Sequence, residues 1–192
     1  MTAADAQALS GARTAPVLEV RGLDIALPAG SGRASALKGV SLRVERAQTL
    51  CVIGAPGAGK SVLARAVAGL LPHTLPISAG HIVLQGEDIT QAGAQHQRGL
   101  RAARVGIVWR EPALDPRMSC GEQIDEVLRS HTRLTRSERQ AKVQATLAEL
   151  GLAAPERIAA SWPHQISAGE RQRVAMAMAF VLDPALLVAD EA

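Results

Sequence analysis

The sequence predicts an α/β fold in which a strand, glycine loop and helix form the core. An N-terminal antiparallel β subdomain and an inserted helical subdomain complete it. Three observations carry this prediction. The apolar run "TLCVI" (49–53) leads directly into "GAPGAGKS" (54–61), and a helical pattern follows. Short strand-like runs precede it, and helical periodicity dominates from Pro112 to about Pro163. A second apolar run ends in acids, "LLVADE" (186–191).

In chain order, "MTAADAQALSGARTAP" (1–16) lacks a signal peptide's apolar centre and reads as a flexible arm. "VLEV" (17–20), "LDIAL" (23–27) and "LKGVSLRV" (37–44) then suggest a small antiparallel sheet. In the third run Val40, Leu42 and Val44 alternate with Ser41 and Arg43, the pattern of a half-buried strand. "TLCVI" is nearly continuous in apolar residues, as a strand buried on both faces would be. Cys51, inside it, is expected in the core. Leu63, Val67 and Leu70 repeat at helical spacing until Pro72 ends the helix. "HIVLQG" (81–86) is expected as an edge strand and "RVGIVW" (104–109) as a buried one.

The helical subdomain, about 112–165, follows. Ile124, Val127 and Leu128 mark one helix face. A second helix opens on a capping box, Thr135 with Glu138, and closes at Gly151; Val143, Leu147 and Leu150 are its buried stripe. A third helix runs from near Ser167 to Asp183, before Pro184, and "ALLVA" returns to a buried strand.

Composition narrows the functions available. The chain has 192 residues and is 47% hydrophobic, enough for one sizeable core. Aromatic residues make up 2%, which excludes nucleic-acid readers that stack bases on exposed rings. A net charge of +3 is an ordinary mixed surface. Cys51 and Cys120 have no metal-ligand spacing and form no framework of bridges, which fits a reducing compartment. No apolar run reaches the length of a membrane span, so membrane association is expected only through partners.

The chemistry concentrates in three motifs. Gly54, Ala55, Pro56, Gly57, Ala58, Gly59, Lys60 and Ser61 fit G-x-x-x-x-G-K-[ST]. Such glycines let backbone N–H groups curl around phosphate oxygens. Lys60 would add a point charge at the β- and γ-phosphates, and the Ser61 hydroxyl would bind Mg²⁺. The following helix aims its positive end at the anion. At the end of the later apolar strand, Asp190 would hold Mg²⁺ through a water, and Glu191 would polarise the attacking water. In the third motif, "QISAGERQRVAMAMA" (165–179), Ser167, Ala168 and Gly169 precede Glu170. Ser167 and Glu170 read as a capping box, at a second helix start able to meet phosphate.

Glycine loop, small-residue turn and acidic strand, in this order around a helical insertion, resemble the ATP-binding subunit of an ABC transporter over residues 17–192. "GLLPHTLPISAGHIVLQGEDIT", "REPALDPRMSCGEQIDEVL" and "WPHQISAGERQRVAMAMA" are similar to the peptide and nickel importer branch. The resemblance implies a P-loop NTPase core with ATP and Mg²⁺ as cofactors. It also implies head-to-tail pairing with a second such subunit, in a homo- or heterodimer. Ser167, Ala168, Gly169 and Glu170 would then meet the partner's ATP. Transmembrane permease subunits would hold the protein at the cytoplasmic face of the inner membrane.

Four departures from the family pattern qualify the expected activity. Leu27 stands near the place of an adenine-stacking aromatic, at a cost of about 1 kcal/mol of stacking. Arg110, in "IVWREP", replaces a Gln whose amide oxygen contacts Mg²⁺ and water; a guanidinium has no acceptor, though it can reach phosphate. Ala168 replaces the first glycine of the usual pair. The family continues past Glu191 with a partner-contacting loop, a core strand and a His, so the C-terminal part of the core is expected to be missing. The resemblance therefore implies an ATPase subunit, with a nucleotide-binding module lacking hydrolysis of its own as the alternative.

Overall fold

The computed structural model describes residues 15–28, 32, 34–90 and 104–190. Most of the expected N-terminal arm, together with Glu191 and Ala192, lies outside the described residues.

Strand β1 (Leu18–Ala26) pairs antiparallel with β2 (Ser35–Val44) on one side and β3 (Ile77–Leu84) on the other. The two-residue β4 (Glu87–Asp88) closes the sheet in the order β2-β1-β3-β4. The two runs at 17–20 and 23–27 belong to one strand. A register shift between Val20 and Leu23 changes the alternation, so Leu18, Val20, Leu23 and Ile25 all enter the core. The expected edge strand at 81–86 begins earlier, at Ile77, and lies between β1 and β4.

Helix α1 (Lys60–Val67) packs Leu63, Ala66 and Val67 beneath this sheet. It stops well short of Pro72. Gly69 takes φ 63° and donates its N–H to the Ala66 carbonyl, while the Leu70 N–H reaches back to Arg65. Those two bonds form a Schellman cap, and its left-handed residue, not the proline, ends the helix. Leu70 consequently turns outward and is exposed.

Strands β5 (Val105–Trp109) and β6 (Leu186–Asp190) run parallel, in register from Val105 opposite Leu186 to Trp109 opposite Asp190. Between them in sequence come α2 (Cys120–His131), α3 (Arg136–Glu149), α4 (Pro155–Ala160), a 3₁₀ turn (Pro163–Gln165) and α5 (Ala168–Phe180). Ile124, Leu128, Leu147, Ile158 and Val174 are among the fully buried residues joining these helices in a second core. Each such Leu or Ile contributes about 1.5–3 kcal/mol by leaving water. Helix α5 also packs against β5, so it touches both cores.

The run at 49–53 departs most from expectation. It forms no strand; Leu50 and Val52 are half exposed, and Ile53 is 93% exposed. Cys51 lies at the surface too, not in the core. A strand needs ladder partners for its N–H and C=O groups. Among the described residues β6 pairs only with β5, and an open groove of about 330 Å³ lies between β6 and residues 50–52. Four apolar residues in a row, Leu50 to Ile53, show an affinity for the interior, but with no strand beside them among the described residues they are not buried.

Candidate functional site

Residues 54–59 arch over the start of α1. Gly57 and Gly59 have φ of 76° and 94°, which the chain needs in order to turn tightly there. Gly59 is the N-cap of α1. No side chain caps that helix, and no acidic residue stands in its first turn. The free N–H groups of such a helix end are a ready anion site. Helices α2, α3 and α5 contrast with it, each having a Ser or Thr cap and a Glu three residues on.

The Lys60 ammonium donates to the carbonyls of Gly54 at 2.8 Å and Ala55 at 3.1 Å, which fixes its charge over the loop. The Ala58 N–H donates to the Ala55 carbonyl at 3.1 Å and tightens the arch around Pro56. On the next residue, the Ser61 hydroxyl donates to Asp190 Oδ1 at 3.1 Å. Those two groups are 129 residues apart in sequence. The fold joins them because β6 ends beside the first turn of α1.

A hydroxyl and a carboxylate side by side are hard oxygen donors, the type Mg²⁺ takes alongside phosphate oxygens and waters. Among the described residues no group of three or more His, Cys, Asp or Glu side chains could hold a metal ion unaided. Ser61 and Asp190 supply only two of the ligands that Mg²⁺ takes, and phosphate oxygens and waters would supply the rest. Glu191, expected to polarise water, lies outside the described residues.

Arg110 follows the last residue of β5 and is exposed at the same sheet end as Asp190. Leu27 is half-buried just beyond β1. Ser167, Ala168, Gly169 and Glu170 form the expected capped helix start. The Ser167 hydroxyl accepts from the Glu170 N–H at 3.2 Å, and Glu170 Oε2 accepts from the Ser167 N–H at 2.8 Å. The two Ser167 contacts, backbone first, and then the Arg157 guanidinium hold the Glu170 carboxyl down to about 2. No clash opposes a side chain at Gly169.

The structure adds residues that no spacing in the sequence indicates. Trp109 receives the Arg65 guanidinium over its ring, 5.9 Å from the centroid. Its carbonyl accepts from Gln172 of α5 at 3.3 Å. Trp109 thus ties the loop helix and α5 to the end of β5. Arg157 donates to Glu170 Oε1 at 2.6 Å across 13 residues.

A glycine loop opening a helix, with an acid delivered to its Ser by a parallel strand, defines a nucleotide-binding α/β cassette. The chain belongs to the ABC transporter family, whose model matches residues 37–192. It is 32% identical to the dipeptide transport ATP-binding protein DppD of Bacillus subtilis (strain 168), over 91% of this chain and 53% of that protein. Against the probable D,D-dipeptide transport ATP-binding protein DdpD of Escherichia coli (strain K12), identity is 36%, over 93% of this chain and 55% of that protein. The chain spans about half the length of the curated relatives it matches. Among solved structures, the dimeric ATP-binding cassette MJ0796 in a post-hydrolysis state with ADP and Pi superimposes with a TM-score of 0.80 at 23% identity. That match covers 90% of this chain and 72% of that one, and it shows the cassette fold.

Proposed function

We propose that the chain is the ATP-binding part of the energy-coupling subunit of an importer for peptides or a related small solute. The observation that carries this reading is the meeting of Ser61 and Asp190 beside Lys60, at an uncapped helix start. Gly54 to Gly59 would wrap the phosphates with backbone N–H groups, and Lys60 would set its charge against the β- and γ-phosphates. Ser61 and Asp190 would hold Mg²⁺, whose charge would offset that of the phosphates during hydrolysis. Glu191 would orient the attacking water.

Pairing with a second ATPase subunit, identical or not, would bring Ser167 to Glu170 to the partner's nucleotide. Membrane attachment would come from permease subunits at the cytoplasmic face, and nucleic acid would not be a partner. No helix among the described residues is long and apolar enough to cross a membrane. The names of the peptide-transport relatives support the solute class.

Arg110 favours a second reading, in which the site binds MgATP but turns it over slowly. Its guanidinium has donors only, so it cannot accept from a metal-bound water. Arg110→Gln restores an acceptor, and ATP turnover in the assembled transporter is expected to rise at least about tenfold with binding little changed. Equal turnover in both proteins would remove Arg110 from the hydrolytic step. The primary reading is tested by titrating MgATP into the chain and into Lys60→Ala, where the loop loses its fixed charge.

A further inference from the structure

We infer that Arg157 is a positioning residue for nucleotide: it neutralises Glu170 so that the start of α5 can accept the phosphates of a second copy's ATP. This rests on the paired reading above. At the start of α1, no acid competes for the helix end. At the start of α5, the Glu170 carboxylate already occupies the first turn and accepts from Ser167. An internal carboxylate there cancels the helix's positive end and repels an incoming polyanion.

Arg157 counters both effects. Its Nη2 sits 2.6 Å from Glu170 Oε1, on the oxygen that Ser167 does not use. The other two arginines of the α5 first turns are committed elsewhere. Arg171 Nη1 donates to the Ile166 carbonyl at 2.8 Å, and Arg173 Nη1 to the Gly151 carbonyl at 3.1 Å. The Arg157 side chain is 57% exposed, which leaves it open to a partner's phosphate. The pair is largely exposed and contributes little to folding; what it changes is the charge at the helix start.

The experiment is sedimentation of the full 192-residue chain against MgATP concentration. Only association that needs ATP and is lost in Lys60→Ala is counted. Arg157→Ala and Arg157→Gln are expected to raise the ATP concentration required by roughly three- to tenfold. Adding Glu170→Gln to either restores it, because Gln at that position keeps the cap bond and drops the charge. Arg157→Lys retains most of the effect. Unchanged ATP dependence in both Arg157 variants overturns the inference. A defect that Glu170→Gln does not repair also overturns it, because Arg157 would then be only a tether between α4 and α5. If the unsubstituted chain shows no ATP-driven association, pairing with a second copy fails and the inference falls with it.

Discussion

Gly59 is where the sheet and the glycine loop press closest. A Cβ at this position would lie 2.7 Å from Leu37 Cδ2 and 2.8 Å from the Ala36 carbonyl, with φ already at 94°. Leu37 can shift, but the backbone carbonyl cannot. Gly59→Ala is therefore expected to cost about 1–3 kcal/mol, read by chemical denaturation, and to weaken nucleotide binding as the arch deforms. Ser167→Ala removes a cap acceptor and should cost about 1 kcal/mol by the same measurement. Acid acts on the same cap through Glu170. Its carboxyl is lowered from 4.5 to about 2, so its stabilisation is complete above 4.5 and is lost as pH falls through about 2. The melting temperature of Glu170→Gln should therefore fall less than that of the unsubstituted chain between those pH values.

Elements differ in how far the sequence discloses them. Capping boxes depend on residues three apart, so Thr135 with Glu138 and Ser167 with Glu170 were legible, and both form. The apolar stripe of α3 was legible for the same local reason, with Val143 and Leu147 buried. The motif also placed Lys60 and Ser61 at a helix start. What the sequence does not disclose is non-local. No spacing relates Arg157 to Glu170, or Arg65 to the Trp109 ring. Residues 49–53 show the same limit in reverse, because an apolar run reports a preference for burial and not the presence of a partner strand. Amides of Val52 and Ile53 are expected to exchange with solvent within seconds, while those of Val20, opposite Leu42, and Val83, opposite Glu19, are expected to be protected for far longer. Equal protection in the two places would mean that residues 49–53 are paired in solution.

For the whole molecule, the consequence is apolar surface beside the glycine loop. Leu50, Val52, Ile53 and Leu187 are all more than a third exposed, at or near the groove beside β6. A patch of that kind invites self-association, and the edge of β6 that has no ladder partner among the described residues adds to it. The 192-residue chain is expected to associate with rising concentration without ATP, and Val52→Lys with Ile53→Lys should reduce this in sedimentation. A monodisperse chain with a cooperative melt at ordinary mesophile temperatures would show the surface to be harmless.

The central claim is that Gly54 to Ser61, with Asp190, forms a MgATP cradle. Calorimetric titration of MgATP into the 192-residue chain tests it most directly. The structure predicts saturable binding at one site, weakened when Mg²⁺ is chelated and at least about tenfold weaker in Lys60→Ala and in Asp190→Asn. Binding that is absent, or that is equally strong in Lys60→Ala, would contradict it.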